Sequence, residues 1–226
     1  MEDREARRRT QTRSAIWADV WCDRDDDRAD WNGLEACFDD LHAYEKWVGD
    51  VAAVIRERLR LMESDVVADL GCGTGRVAER LAPHVSFVHG FDYSETVLRV
   101  ARDRRRLPNV DFQHADLNDF DPRGIALTKA FSVGAMLYLD AKEQVFNLIR
   151  QLHARHIDIA LLDLPDAMLV DDRTRAYDTS IFTHLRFNEE ELLAEFPTAY
   201  VRRGEFPQYV NGKTRFNFYL HAVRPK

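Results

Sequence analysis

The chain has 226 residues, a formal net charge of −7 and 45% hydrophobic residues. That is enough for one buried core, and the bulk charge disfavours a polyanionic partner. Cys22, Cys37 and Cys72 are an odd count without metal-type spacing, so they offer no disulfide framework and point to a reducing compartment. No apolar run approaches the ~20 residues a membrane span needs. The charged start has no apolar stretch behind it, so no signal peptide is expected and the protein is expected to be cytoplasmic.

Residues 1–14 hold nothing aliphatic larger than alanine apart from Met1 and read as a flexible tail. Residues 15–60 read as a helical, aromatic cap. Trp17, Trp21, Trp31 and Trp47 are all the tryptophans of the chain, and Phe38 and Tyr44 join them. With the acidic stretch 23–30 between them, they read either as packing or as a lid over a ligand cleft. Tyr44, Trp47, Val48, Val51, Ile55 and Leu59 follow helical spacing and predict an amphipathic helix over 42–60. The remainder, 61–226, reads as the core of a single domain.

In that core, short apolar runs at 66–70, 86–91, 110–114, 130–134 and 157–162 read as strands. Helical patterns separate most of them. Ser94 is the expected N-cap of a helix carrying Val97, Leu98 and Ala101. Asp140 with Glu143, and Asn188 with Glu191, read as capping boxes, and Asp163-Leu164-Pro165 as the stop of the fifth strand. Two runs, 199–206 and 215–223, joined across Asn211-Gly212, predict a closing hairpin. The expected fold is α/β and Rossmann-like: seven strands, mostly parallel with an antiparallel C-terminal hairpin, and helices on both faces.

The informative stretch is Asp69-Leu70-Gly71-Cys72-Gly73-Thr74-Gly75, an apolar strand ending in an aspartate and then three glycines at alternate positions. A dinucleotide fingerprint needs its third glycine at position 76, where Arg76 stands. The stretch instead closely resembles the first motif of class I S-adenosylmethionine-dependent methyltransferases, and the later element order is similar to that family over roughly residues 42–226. The resemblance implies S-adenosylmethionine as cofactor. It implies that Asp69 holds the ammonium, directly or through water, while Gly71, Cys72 and Gly73 let the backbone approach. Asp92 would take the ribose hydroxyls, Tyr93 would pack on the adenine, and Asp116 with the Leu117 amide would read its edge. Ser132, Val133 and Gly134 would pass beneath the sulfonium. No metal is implied.

Methyl transfer neutralises charge at a sulfonium, so positioning and water exclusion carry much of the rate and a base is optional. The candidate catalytic residues are Tyr138 just past the fourth strand, Asp163 at the end of the fifth and His184 further along. No Asn/Asp-Pro-Pro-aromatic motif follows the fourth strand, no paired glutamates flank an apolar loop there, and Cys72 lies in the cofactor turn. These absences disfavour base-, arginine- and C5-directed members of the family. The expected reaction is methylation of an O or N atom of a small molecule, of natural-product or sugar type. The alternatives are an RNA- or protein-directed enzyme using Arg7, Arg8, Arg9 and Arg13 or Arg102, Arg104, Arg105 and Arg106, or a non-catalytic cofactor-binding module. The chain departs from the family before the fifth strand, where Leu152-His153-Ala154-Arg155-His156 replaces the usual Pro-Gly-Gly turn.

Overall fold

The computed structural model describes Trp17, Phe38, and residues 40–169, 184–206 and 213–222. The expected tail, half of the expected cap and the Asn211-Gly212 turn lie outside these residues. Seven strands form one sheet: β1 Val66–Leu70, β2 Phe87–Asp92, β3 Val110–His114, β4 Lys129–Val133, β5 Asp158–Pro165, β6 Tyr200–Arg203 and β7 Arg215–Leu220. Their spatial order is β3-β2-β1-β4-β5-β7-β6. The first five are parallel, and β7 runs antiparallel to both β5 and β6.

Side-chain alternation along the strands builds a core on each face. On one face α1 (Leu41–Arg58), α2 (Arg76–Leu81) and α3 (Glu95–Arg104) cover Val67, Val88, Phe131 and Tyr219. On the other, α4 (Lys142–Ala154) and α5 (Glu189–Glu195) cover Ala68, Leu70, Ile159 and Phe218. The α1 stripe sits where its spacing predicts, with Tyr44, Trp47, Val48, Val51 and Ile55 buried and Asp40 capping the start through Ala43 N at 2.8 Å. Glu45 of α1 reaches Arg76 and, at 2.7 Å, Arg80, tying α1 to the helix that follows the glycine turn.

Three local expectations need correction. The N-cap of α4 is Ala141, one residue past Asp140, and alanine has no side-chain oxygen to cap with; Glu143 bonds Arg150 at 2.8 Å. In α5, Asn188 does cap, accepting from Glu190 N at 2.8 Å, but Glu191 bonds Lys142 instead of closing a box. β5 does not stop at Asp163. It runs on to Pro165 through a bulge, because β7 lies alongside and takes up its backbone groups on both sides of the irregularity.

The connection before β5 also departs from a glycine turn, as its sequence suggests. His156 N–H bonds His153 O at 3.0 Å and Ile157 N–H bonds Leu152 O at 3.2 Å, a Schellman closure of α4. The residue in the left-handed position is His156, with φ 60°. A Cβ in that region is strained, so His156→Gly should raise the melting temperature by about 2–4 °C, the shift ~1 kcal/mol gives in a chain of this size. A differential scanning melt checks it.

Candidate functional site

Because β1 to β4 are parallel, their C-terminal ends share one edge of the sheet. The chain leaves β1 towards β2 on one side and β4 lies on the other, which makes the β1/β4 boundary the crevice where open α/β sheets take ligands. The sequence-predicted cofactor residues gather along this edge. Asp69 is the fourth residue of β1, beside Gly90 of β2 and Phe131 of β4. Asp92 ends β2, Asp116 and Leu117 follow β3, and Ser132 and Val133 close β4.

The glycine turn is held in shape by β2. Gly71 N–H and Cys72 N–H both donate to Phe91 O, at 2.8 and 2.9 Å. Gly73 N–H donates to Asp92 Oδ2 at 2.9 Å, while Asp92 Oδ1 accepts from Ser94 N–H at 2.9 Å. A Cβ on Gly71 would lie 2.2 Å from the Ala135 Cβ, so the turn and the loop after β4 approach as closely as glycine allows. Helix α2 has six residues and Gly75 as its N-cap, in the left-handed conformation.

Two buried polar atoms at the crevice have no hydrogen-bond partner, Asp69 Oδ2 on β1 and Ser132 Oγ on β4. An unpaired buried polar group costs free energy, and a charged one costs more. Burial first, and then the nearby Asp92 charge, holds the Asp69 carboxyl well above the usual carboxylate range. Burial also raises Asp92, although the Ser94 and Gly73 amides pull it back. Cys72, buried among the same carboxylates, has its thiol pushed well up and is a poor nucleophile. The site therefore has an unmet demand for positive charge and a hydrogen-bond donor at β1, and a spare hydroxyl at β4.

The remaining candidates are placed as follows. Asp116 is exposed and forms an Asx turn, its Oδ1 accepting from the Asn118 backbone and side-chain nitrogens at 2.9 and 2.8 Å. Leu117 is buried beside Gly71, and Tyr93 is half-buried next to Asp92. Past β4, a single 3₁₀ turn, Met136–Tyr138, carries Tyr138. The Leu185 N–H bonds Leu137 O at 2.9 Å and docks the segment bearing His184 on that turn. Tyr138 and His184 meet edge-to-face at 5.1 Å between ring centroids. Trp17 completes the group, stacked on His184 at 4.7 Å and edge-on to Tyr138 at 4.8 Å. Only its place in a tryptophan-rich segment marked Trp17 in the sequence.

Asp163 sits in the β5 bulge with φ 62°, and its Oδ2 lies 3.2 Å from where a Cβ on Gly134 would be. Sequence reasoning missed its neighbours Arg215 and Asn217. The signal available was a charged and a polar residue at alternate positions of the otherwise apolar Arg215-Phe216-Asn217-Phe218-Tyr219-Leu220. The Arg102 to Arg106 cluster is largely engaged locally. Arg102 bonds Phe112 O and Glu95, Arg105 is buried beside Glu79, and Arg106 lies near Asp103. Among the described residues no His, Cys, Asp and Glu side chains gather as a metal would require, and no helix is long and apolar enough to cross a membrane.

Residues 67–156 match a family model described as a methyltransferase domain. One curated relative is a dTDP-4-amino-2,3,4,6-tetradeoxy-D-glucose N,N-dimethyltransferase of Saccharopolyspora spinosa, 29% identical over 122 residues, which are 51% of this chain and 48% of that protein. The chain thus spans about half the length of that relative. Among solved structures, the phosphoethanolamine N-methyltransferase 1 of Haemonchus contortus, in complex with phosphoethanolamine and S-adenosylhomocysteine, superposes with a TM-score of 0.70 and 19% identity over 95% of this chain and 50% of that one. CalS10, an S-adenosylmethionine-bound amino pentose methyltransferase of Micromonospora echinaspora, gives a TM-score of 0.56 and 19% identity over 77% of this chain and 90% of that one.

The demand for charge at Asp69 sets a pH dependence. Below the ordinary carboxylate value Asp69 is protonated in both the folded and unfolded states. As pH rises, the unfolded chain releases its proton first, so folding loses stability through the window up to the raised native value. Asp69→Asn should remove that loss and raise the melting temperature of the ligand-free protein near neutral pH by about 2–4 °C, with little change in mild acid. Melts across pH test this, and a variant that melts lower throughout would contradict it.

Proposed function

We propose that this chain, a class I methyltransferase by its sheet order and by the domain its residues 67–156 match, transfers the methyl group of S-adenosylmethionine to an O or N atom of a small molecule. The observation that carries the reading is the buried, unpartnered Asp69 Oδ2 near the end of β1, on the sheet face of Val67 and Phe131; Ser132 Oγ, also unpartnered, alternates onto the other face. Asp69 receives the ammonium of the cofactor's methionine end. Asp92 accepts from the Gly73, Ser94 and Tyr93 amides, which fix its carboxylate at the β2 tip to receive the ribose hydroxyls. Asp116 and the Leu117 amide address the adenine at the β3 tip, with Tyr93 packed alongside.

Bound in this way, S-adenosylmethionine supplies a methyl group activated on a sulfonium. The chain's part is to align an acceptor lone pair with it and keep water away. Gly134 follows the β4 tip with φ 64°, and the Asp163 carboxylate lies over it. Asp163 therefore orients the acceptor's N–H or O–H, while Tyr138, His184 and Trp17 form an apolar wall. Asp163 is accompanied by Arg215, whose Nε lies 3.8 Å from its Oδ1, so it serves better as a fixed hydrogen-bond acceptor than as a strong base. Small amine-bearing acceptors are favoured by the relatives named above, an amino-sugar and a phosphoethanolamine enzyme among them. The arginines around α3 are spent on local partners, which weighs against a nucleic-acid target. A cytoplasmic location remains part of this proposal.

Titration calorimetry with S-adenosylmethionine, run below the melting temperature of each protein, tests the shared premise. Binding is expected for the wild type, with affinity lowered at least about tenfold in Asp92→Ala, the scale of one hydrogen-bonded charge contact. An unchanged affinity in that variant would sink the cofactor assignment. A mass-spectrometric screen of amino sugars, simple amines and hydroxylated natural products then reads the acceptor as a gain of one methyl group. Retention on RNA that is lost with salt, without any such gain, would overturn the small-molecule reading.

A further inference from the structure

The β5 bulge has a support built from residues that no cofactor contact uses. Asp163 carries φ 62° without being glycine, a conformation that persists only where its surroundings impose it. The β5–β7 register slips between Leu161 and Leu164 around it, so the pairing of the two strands does not hold its N–H. That N–H donates instead to Asn217 Oδ1 at 2.9 Å. The Asn217 amide is itself fixed, its Nδ2 donating to Glu205 Oε2 at 2.7 Å. Glu205 is half-buried and also accepts from the Tyr219 hydroxyl at 2.6 Å and from Arg58, in the last turn of α1, at 2.9 Å. Arg215 holds the other end of the bulge through Asp163 O at 3.2 Å. Arg215, Asn217 and Tyr219 alternate onto the same face of β7, so one strand supplies three of the supports.

We propose that Asn217, backed by Glu205, is the positioning residue that aims the Asp163 carboxylate at the acceptor. This rests on the reading of Asp163 given above. A hydrogen-bond acceptor at residue 217 keeps the left-handed bulge, and the bulge turns the carboxylate over Gly134. The support reaches only the β5 side of the crevice. Its loss therefore touches acceptor binding and leaves the β1 to β3 tips alone.

The test uses the full chain with the acceptor identified by the methyl-gain screen. Asn217→Ala should raise the acceptor KM about tenfold or more with a smaller change in kcat, while calorimetric affinity for S-adenosylhomocysteine stays within about twofold. Hydrogen exchange of the Asp163 amide should speed up in the same variant. Combining Asn217→Asp with Glu205→Gln reverses two bonds at the atom that replaces Oε2: the new amide donates to the new carboxylate and to the Tyr219 hydroxyl, which turns to accept, and the carboxylate still accepts from Asp163 N–H. The double variant should recover the KM to within about threefold of the wild type, whereas Asn217→Asp alone sets two carboxylates against each other and should not. An unchanged KM in Asn217→Ala would overturn the proposal, as would a double variant that recovers melting temperature without recovering KM. Loss of S-adenosylhomocysteine binding in the wild type would instead count against the cofactor reading itself.

Discussion

The C-terminal edge of the sheet is organised by negative charge held out of water. Asp69 and Asp92 lie at the ends of neighbouring strands, both are buried, burial raises both carboxyls, and the Asp92 charge raises Asp69 further. Their treatment differs. Asp92 accepts from Gly73 N–H in the glycine turn and from Ser94 N–H at the start of α3, so its charge shapes the protein. Asp69 has an oxygen with nothing to accept, and its charge is left for something outside the chain. A fold optimised for stability alone would pair or remove that carboxylate. Keeping it is reasonable where a bound cation supplies the missing partner, because the ligand then stabilises the folded state by mass action.

The glycine turn follows from this arrangement. Gly73 must present its N–H to Asp92 and Gly71 must let the loop after β4 pass at the distance of a hydrogen in place of a methyl group. The two ion pairs from Glu45 to Arg76 and Arg80 then anchor the short α2 against α1, so the turn is gripped from both sides. Six residues of helix would not hold such a position by their own hydrogen bonds. Packing of α1, with its apolar stripe buried to the last turn, makes the cofactor edge rigid.

Much of this was legible in the sequence, for identifiable reasons. The strands and the stripes of α1 and α4 were found because burial imposes periods of two and of about 3.6 residues directly on residue type. The sheet order was not read from the sequence, since periodicity says nothing about which strand lies beside which. The misread features were polar. Asp140 and Glu143 have the spacing of a capping box, but the N-cap falls on Ala141 and the glutamate bonds Arg150. Asp163-Leu164-Pro165 has the look of a strand end, because a turn and a bulge use the same residue types and only the presence of β7 tells them apart. Asn217 passed unremarked for the same reason, its partner being 54 residues away in sequence.

The two halves of the crevice are built by different kinds of constraint. On the β1 to β3 side the hydrogen bonds of the glycine turn run from one strand tip to its immediate neighbour, and short motifs encode them. On the β5 side the carboxylate of Asp163 depends on β7, on Glu205 beyond β6 and on Arg58 of α1, and the ring wall joins Trp17, Tyr138 and His184 from three distant stretches. Long-range assembly of that kind can be altered by a change in any one segment without disturbing the cofactor edge. In the reading proposed above, a change in Asn217, Glu205 or Arg58 reaches the Asp163 carboxylate without touching the β1 to β3 tips.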